Sequence, residues 1–139
     1  MVSDVLVAMD GSEVAEEALR YALDAHPDAT VTVLTVVGVP SAMFGEATAI
    51  ALADDPTASA EEYAEPVLDR ARDIAAAADR EVQTVVGTGH PARTILNRAA
   101  EFDTVVLGSH GGSLADHLLV GNVAERVFRR SPVPVTVVR

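Results

Sequence analysis

Gly108, Gly111, Gly121 and Asn122 are the residues whose types and spacing point most directly to chemistry. Gly108 follows a short apolar run, Thr104–Leu107 (TVVL), and Gly121-Asn122 stands just before an apolar helical pattern of Val123, Ala124, Val127 and Phe128. A phosphate group needs backbone N–H donors at close range, and a residue without Cβ permits that approach. The helix that follows adds unpaired N–H groups and a partial positive charge at its N-terminus. Asn122 can cap that helix or donate to a phosphate oxygen, with Val123 beside it. The plainer alternative is a strand–turn–helix connection, but it needs fewer glycines than stand here. His110 lies within the glycine run. Phosphate contact or loop structure suits it better than base catalysis, because the sequence supplies no evident activated water or carboxylate partner.

A second candidate is Asp10, which ends the apolar run Asp4–Met9 (DVLVAM) and opens the turn Asp10-Gly11-Ser12. Its carboxylate either closes an Asx turn before Gly11 or faces a ligand. Other chemistries are poorly served. The chain has no cysteine, which excludes disulfides, thiolate zinc sites and thiol catalysis. No pair of histidines has metal-ligand spacing, so no protein-built metal site and no catalytic residue is expected. The turn after the first strand is not the G-x-G-x-x-G of a dinucleotide site, and a phosphate-binding G-x4-G-K-[ST] loop is impossible without lysine. A phospho-receiver domain would need clustered acids after the first strand, where Asp10 stands alone, and the serine elbow G-x-S-x-G is absent.

The elements that must position these residues alternate. Asp4–Met9 and the β-branched Thr30–Val37 (TVTVLTVV) read as buried strands, as do Glu81–Val86, Thr104–Leu107 and the Pro-interrupted Val133–Val138 (VPVTVV). Between them, Ser12 caps a helix with Ala15, Ala18, Leu19, Ala22 and Ala25 on one face, ended by His26-Pro27-Asp28. Helical period returns at Tyr63, Val67, Ala71, Ile74, Ala75 and Ala78, with Pro66 expected to start or bend that helix. Gly87–Pro91 is a turn into a helix carrying Ala92, Ile95, Leu96 and Ala99, and Val120–Arg130 makes a last helix. The stretch from Gly38 to about Ala58 has no clear period, and a connection so long is usually functional or mobile. Near-continuously apolar strands alternating with helices imply an α/β fold: a parallel sheet covered on both faces. Pro132 and Pro134 cannot donate ladder bonds, which places the last strand at an edge.

The spacing G-x2-G-x9-G followed by a small polar residue resembles the ATP-binding signature of the universal stress protein family. Gly108, Gly111, Gly121 and Asn122 carry it, and the flanks VVLGSHG and GNVAERVFRRSPVPVTVVR, the opening VLVAMDGSEVAEEAL and the segment GHPARTIL are similar too. The likeness covers nearly the whole chain in order. It implies a single doubly wound domain over residues 1–139, with a five-stranded parallel sheet in the order 3-2-1-4-5. In that order the chain reverses direction between the first and fourth strands, and ligands of open α/β sheets bind in the cleft so formed. The resemblance further implies ATP with Mg²⁺ as ligand, Ala8 and Met9 walling the adenine pocket, and Asp10 beside the ribose or a Mg²⁺-bound water. Val36 resembles the position whose backbone meets the adenine edge, its alternative being an ordinary core valine. Homodimers formed through the last strand are also implied. One departure stands out: the family's usual Ser or Thr after the last glycine is Asn122 here.

Composition bounds the rest. Acidic residues outnumber basic ones by 21 to 10, all ten of them Arg, for a formal net charge of −11. That field opposes attraction to nucleic acid or anionic lipid. An acidic, lysine-free chain fits a halophilic protein of a salt-rich cytoplasm. A GC-rich genome also favours Arg over Lys, but does not explain the acidity. No stretch approaches the roughly 18 to 20 apolar residues of a membrane span, and Met1 leads into a strand-like segment without a basic n-region, so a soluble, cytoplasmic protein is expected. Function then reads as a nucleotide-dependent sensor or regulator in a stress response. The rivals are a homodimeric interaction protein of the same fold that binds no nucleotide, and a slow ATP hydrolase whose base the sequence does not name.

Overall fold

Runs of Val, Leu and Thr supply the strands, and helices must cover both faces of the sheet they form. The computed structural model describes residues 1–38, 56–109 and 122–139. Among these, β1 (Asp4–Ala8), β2 (Thr30–Val37), β3 (Gln83–Thr88), β4 (Thr104–Gly108) and β5 (Val135–Val138) form one parallel sheet in the order β3-β2-β1-β4-β5. The helices are α1 (Glu13–Ala25), α2 (Pro56–Ala77), α3 (Pro91–Ala99) and α4 (Asn122–Arg130). This is the expected doubly wound order, with the last strand, preceded by Pro132 and Pro134, at an edge.

Alternation along the strands divides the core in two. Val5, Val7, Val31, Val33 and Val106 meet α1 and α2 on one face, through Ala18, Leu19, Ala22, Leu68 and Ala71. Leu6, Leu34, Val105 and Leu107 meet α3 and α4 on the other, through Ile95, Ala99, Ala124 and Val127. Each fully buried Leu or Val contributes about 1.5–3 kcal/mol. No described helix is long and apolar enough to cross a membrane.

Three elements depart from the sequence expectation by two residues or more. Of the two expectations for Pro66, a start is excluded, because helix α2 begins ten residues earlier and runs through it. Its buried stripe is Ala60, Ala64, Leu68, Ala71 and Ala75, whereas Tyr63, expected on that stripe, is 41% exposed. Pro66 lies on the exposed side. There the carbonyl deprived of its partner can bond to water, and packing of the opposite stripe outweighs the lost rung. Strand β3 is shifted two residues from Glu81–Val86, because β2 extends far enough to pair Val36 with Gly87 and Val37 with Thr88. Strand β5 starts at Val135 rather than Val133. Ser131 Oγ accepts from Val133 N and donates to Val133 O, which keeps Pro132 in a turn. The connection expected at Gly38–Ala58 lies mostly outside the described residues, and its last residues belong to α2. Val120, expected to open α4, also lies outside them.

Candidate functional site

The carboxyl ends of β1, β2 and β4 come together where the chain reverses across the sheet. In register there, Ala8 stands beside Leu34 on one side and Leu107 on the other. All three point to the α3–α4 face, where the helices leave a space beside them. A cavity of about 230 Å³ remains, lined by Ala8, Met9, Asp10, Ala15, Leu34, Val36, Pro91, Ile95, Leu107, Gly108, Asn122, Val123 and Ala124. Among the described lining residues the walls are apolar, and Asp10 supplies the one carboxylate.

Each rim residue is fixed by local chemistry. Met9 N donates to Leu34 O at 2.9 Å, carrying the β1–β2 ladder one residue beyond Ala8. The chain then turns through Gly11, whose φ of +85° suits a residue without Cβ. Asp10 Oδ1 holds this turn by accepting from Ser12 N at 3.0 Å and Ser12 Oγ at 2.6 Å. Ser12 Oγ in turn accepts from Ala15 N at 3.2 Å and caps α1. The carboxylate therefore has a turn role and borders the cavity as well. Gly108 has a packing reason of its own. A Cβ there would stand 2.7 Å from Val14 Cγ1 and 3.2 Å from Ala15 N, so α1 approaches β4 this closely only over glycine. Beyond it, Ser109 N donates to Val138 O at 2.7 Å, extending the ladder to β5. Asn122 and Val123 open α4 on the far rim, both exposed.

Of the residues expected at a ligand site, Ala8, Met9, Asp10, Val36, Gly108, Asn122 and Val123 border this one cavity. His110, Gly111 and Gly121 lie outside the described residues. Leu34, Pro91, Ile95, Leu107 and Ala124 were not anticipated, because apolar lining residues look the same in a sequence as core residues. The parallel register would have found two of them, since whatever neighbours Ala8 on β2 and β4 must share its face. Among the described residues no three His, Asp or Glu side chains gather as a metal site.

Comparison with known proteins agrees with this architecture. The model of the universal stress protein family matches residues 1–139. Over 148 aligned residues the chain is 29% identical to universal stress protein YxiE of Bacillus subtilis, covering all of both chains. The solved structure of universal stress protein UspA from Lactobacillus plantarum superposes with a TM-score of 0.76 at 26% identity, covering 99% of this chain and 98% of that one. A universal stress protein solved in complex with cAMP gives a TM-score of 0.70 at 27% identity, covering 99% and 97%. A match of the family's model from the first residue to the last, on a sheet of the expected order, means that this chain belongs to the universal stress protein family.

Proposed function

We propose that the cavity at the β1–β4 switch point binds an adenine nucleotide, and that occupancy alters what the neighbouring surface offers to a partner. The observation that carries this reading is the cavity itself: apolar walls with one carboxylate and one exposed amide, Asp10 and Asn122, at the rim. At about 230 Å³ it is at the small end for ligand pockets, which suits a flat heterocycle held between aliphatic side chains with the rest of the ligand outside. The cAMP bound by a relative of the same fold is a ligand of that shape.

The base would lie between Ala8, Val36 and Ile95, with the ribose toward Met9 and Asp10. Phosphates would leave past Asn122, toward the glycines Gly108, Gly111 and Gly121 and His110. ATP is the form the glycine spacing favours. A single carboxylate suits Mg²⁺ brought in with the nucleotide, since that ion commonly takes one or two protein carboxylates and completes its shell with phosphate and water. Mg²⁺ there would neutralise phosphate charge beside Asp10. We assign no catalytic residue. The edge strand β5 would pair with that of a second copy, giving a homodimer.

The test is to purify the protein natively, denature it, and identify released nucleotide by chromatography, with an Ala8→Leu variant alongside. Leu at position 8 fills the cavity while keeping the strand apolar. The expected outcome is ATP from the parent and none from Ala8→Leu. A parent that releases no nucleotide and gives no binding heat with Mg-ATP would leave the rival reading, a homodimeric interaction protein that binds no nucleotide, as the function.

A further inference from the structure

The charges of the four helices are segregated. Helices α1 and α2 together carry nine acidic residues against three arginines, a formal −6. Helices α3 and α4 carry five arginines against Glu125, a formal +4. On the acidic face every arginine has a carboxylate within the chain. Arg20 pairs with Glu16 and Glu17, Arg70 with Glu16, and Arg72 with Glu65 and Asp69. On the basic face the ion pair among the described residues is Arg129 Nη2 to Glu125 Oε1, at 3.1 Å.

Three of the basic-face arginines line a groove of about 620 Å³, between the start of α3 at His90-Pro91 and the outer side of α4. Helix α3 packs on β2 and β3 and α4 on β5, so the groove between them runs over the middle of this face, away from the β5 edge. Arg126, Arg129 and Arg130 stand at i, i+3 and i+4, and so share one stripe of α4. Arg129 and Arg130 also suit the negative end of the helix dipole. Arg126 sits in mid-helix, where no such reason applies. In a chain of net charge −11, a groove with three guanidinium groups and one carboxylate is a local reversal of sign. Aliphatic surface stands beside these charges: Pro91, Ala92 and Val123 line the same groove, and Val123 is 38% exposed. Pro91, Asn122 and Val123 also line the cavity at the switch point, so groove and cavity share a rim.

We propose that this groove docks an acidic amphipathic helix of a protein partner, and that a nucleotide in the adjoining cavity weakens the docking. A carboxylate accepts two parallel bonds from the planar guanidinium fork. Asp or Glu at i, i+3 and i+4 of a helix repeats the spacing of the three arginines. An aliphatic side chain on the same face of that helix would cover Pro91, Ala92 and Val123, as in other helix-in-groove contacts. A nucleic acid strand fits less well. Its phosphates suit the arginines but leave the aliphatic surface unmatched, and a field of −11 opposes a long polyanion. The coupling, unlike the docking, rests on the nucleotide reading of the cavity. There the phosphates pass Asn122 to the glycine loop and stay on it. Arg126 stands only about 6 Å farther along α4, at about 1.5 Å per residue. Negative charge held at the loop therefore repels the partner's carboxylates through space, without taking the arginines for itself. Linkage makes the effect mutual: the partner lowers nucleotide affinity by the same factor. The empty protein holds its partner and the loaded protein releases it.

The experiment measures fluorescence anisotropy of a labelled alanine-based helical peptide, with glutamates three and four residues apart and one leucine on the same face. Its glutamine counterpart and a labelled oligothymidylate are run beside it. The full chain is used, at the lowest KCl concentration that keeps it folded by circular dichroism, as wild type, Arg126→Gln/Arg130→Gln and Arg93→Gln. Arg93 lies on α3 but does not line the groove, so it reports the general field. The expected result is binding of the glutamate peptide by wild type and a loss of about tenfold or more in the double variant, as for lost bonds between charged groups. Arg93→Gln should stay within about twofold of wild type. Saturating Mg-ATP should weaken the peptide by about fivefold, at the low end of such couplings. No binding of the glutamate peptide, equal binding of the glutamine peptide, or an equal loss in Arg93→Gln would overturn the docking. Tighter binding of oligothymidylate through Arg126 and Arg130 would overturn the choice of a polypeptide. If calorimetry shows that Mg-ATP binds but the peptide affinity does not change, the coupling falls and the docking groove stands. If wild type binds no nucleotide yet holds the peptide through these arginines, the nucleotide reading fails and the groove again stands.

Discussion

At the scale of single residues, Asp10 separates two roles that its position combines. Its Oδ1 already accepts from both Ser12 N and Ser12 Oγ, so part of its value is the turn that starts α1. Asparagine keeps an oxygen at that place and removes the charge. Asp10→Asn is therefore expected to unfold within about 0.5 kcal/mol of wild type, while Asp10→Ala loses about 1 kcal/mol with the turn. If the carboxylate also serves the ligand, both variants lose Mg-nucleotide affinity to a similar extent. Urea titration and calorimetry read the two effects separately. The same doubling of roles explains what was legible here. Asp10, Gly108 and Asn122 were visible in the sequence because a carboxylate or a glycine at a strand end, and an amide at a helix start, mark a turn, a cap or a ligand. Ile95, Leu34 and Ala124 were not, since nothing in an apolar residue says whether a ligand or another side chain will cover it. For Gly108, the sequence pointed to ligand approach, and the structure adds the first turn of α1 pressed against it.

At the scale of elements, helix ends and strand starts are held by side chains distant in sequence. Helix α2 finishes with Asp79 at φ +55°, Asp79 N donating to Ala76 O and Arg80 N to Ala75 O, which is the Schellman arrangement. That turn aims Arg80 across to the end of α1, where its guanidinium donates to Leu23 O, His26 O and Ala29 O. Arg80→Gln is expected to lower stability by about 2 kcal/mol, and Arg80→Lys to recover little, because one ammonium lacks the fork that reaches three carbonyls. Chemical denaturation measures both. At the start of β1, Asp103 Oδ2 accepts from Ser3 N at 2.8 Å and Asp4 N at 2.9 Å. These two backbone bonds hold its carboxyl below the ordinary 3.8. A folded-state value below the unfolded one gives stability that is fully present above 3.8 and lost as pH falls toward the lower folded value. Asp103→Asn should therefore lower the urea midpoint near pH 6, and its midpoint should fall less steeply than wild type below pH 3.8. Parallel declines would mean that the carboxylate is not what ties β1. Neither tie was legible in the sequence, for each joins residues more than fifty positions apart. The strands β1, β2 and β4 were legible to within a residue, because each is a short run of apolar or β-branched residues bounded by turn residues. Strand β3 was displaced because its partner β2 decided how far pairing continued, and α2 overran Pro66 because a buried alanine stripe outweighed one missing donor.

At the scale of the whole molecule, the net charge of −11 must be tolerated by a sheet whose core is ordinary. Like charges spread over the surface repel, and folding brings them closer, so the compact state is penalised most when salt is lowest. Exposed charges farther apart than a Debye length, which is about 10 Å at 0.1 M and about 3 Å at 1 M, are screened from one another, so added salt removes the penalty from the most distant pairs inward. Two explanations of the acidic composition then part company. If acidity is incidental, stability should climb as KCl rises to about 1 M and then level off, since little remains to be screened beyond that point. If the chain is adapted to a salt-rich interior, stability should continue to rise well past 1 M. The measurement is the thermal midpoint as a function of KCl, with Arg126→Gln/Arg130→Gln beside the parent. Removing two positive charges from the α4 stripe makes the net charge more negative, so the low-salt midpoint of the variant should fall below the parent's and the two curves converge as salt is added. Curves that stay parallel to the highest salt would mean that these arginines act through local contacts, and that the acidic surface does not set the response of stability to salt.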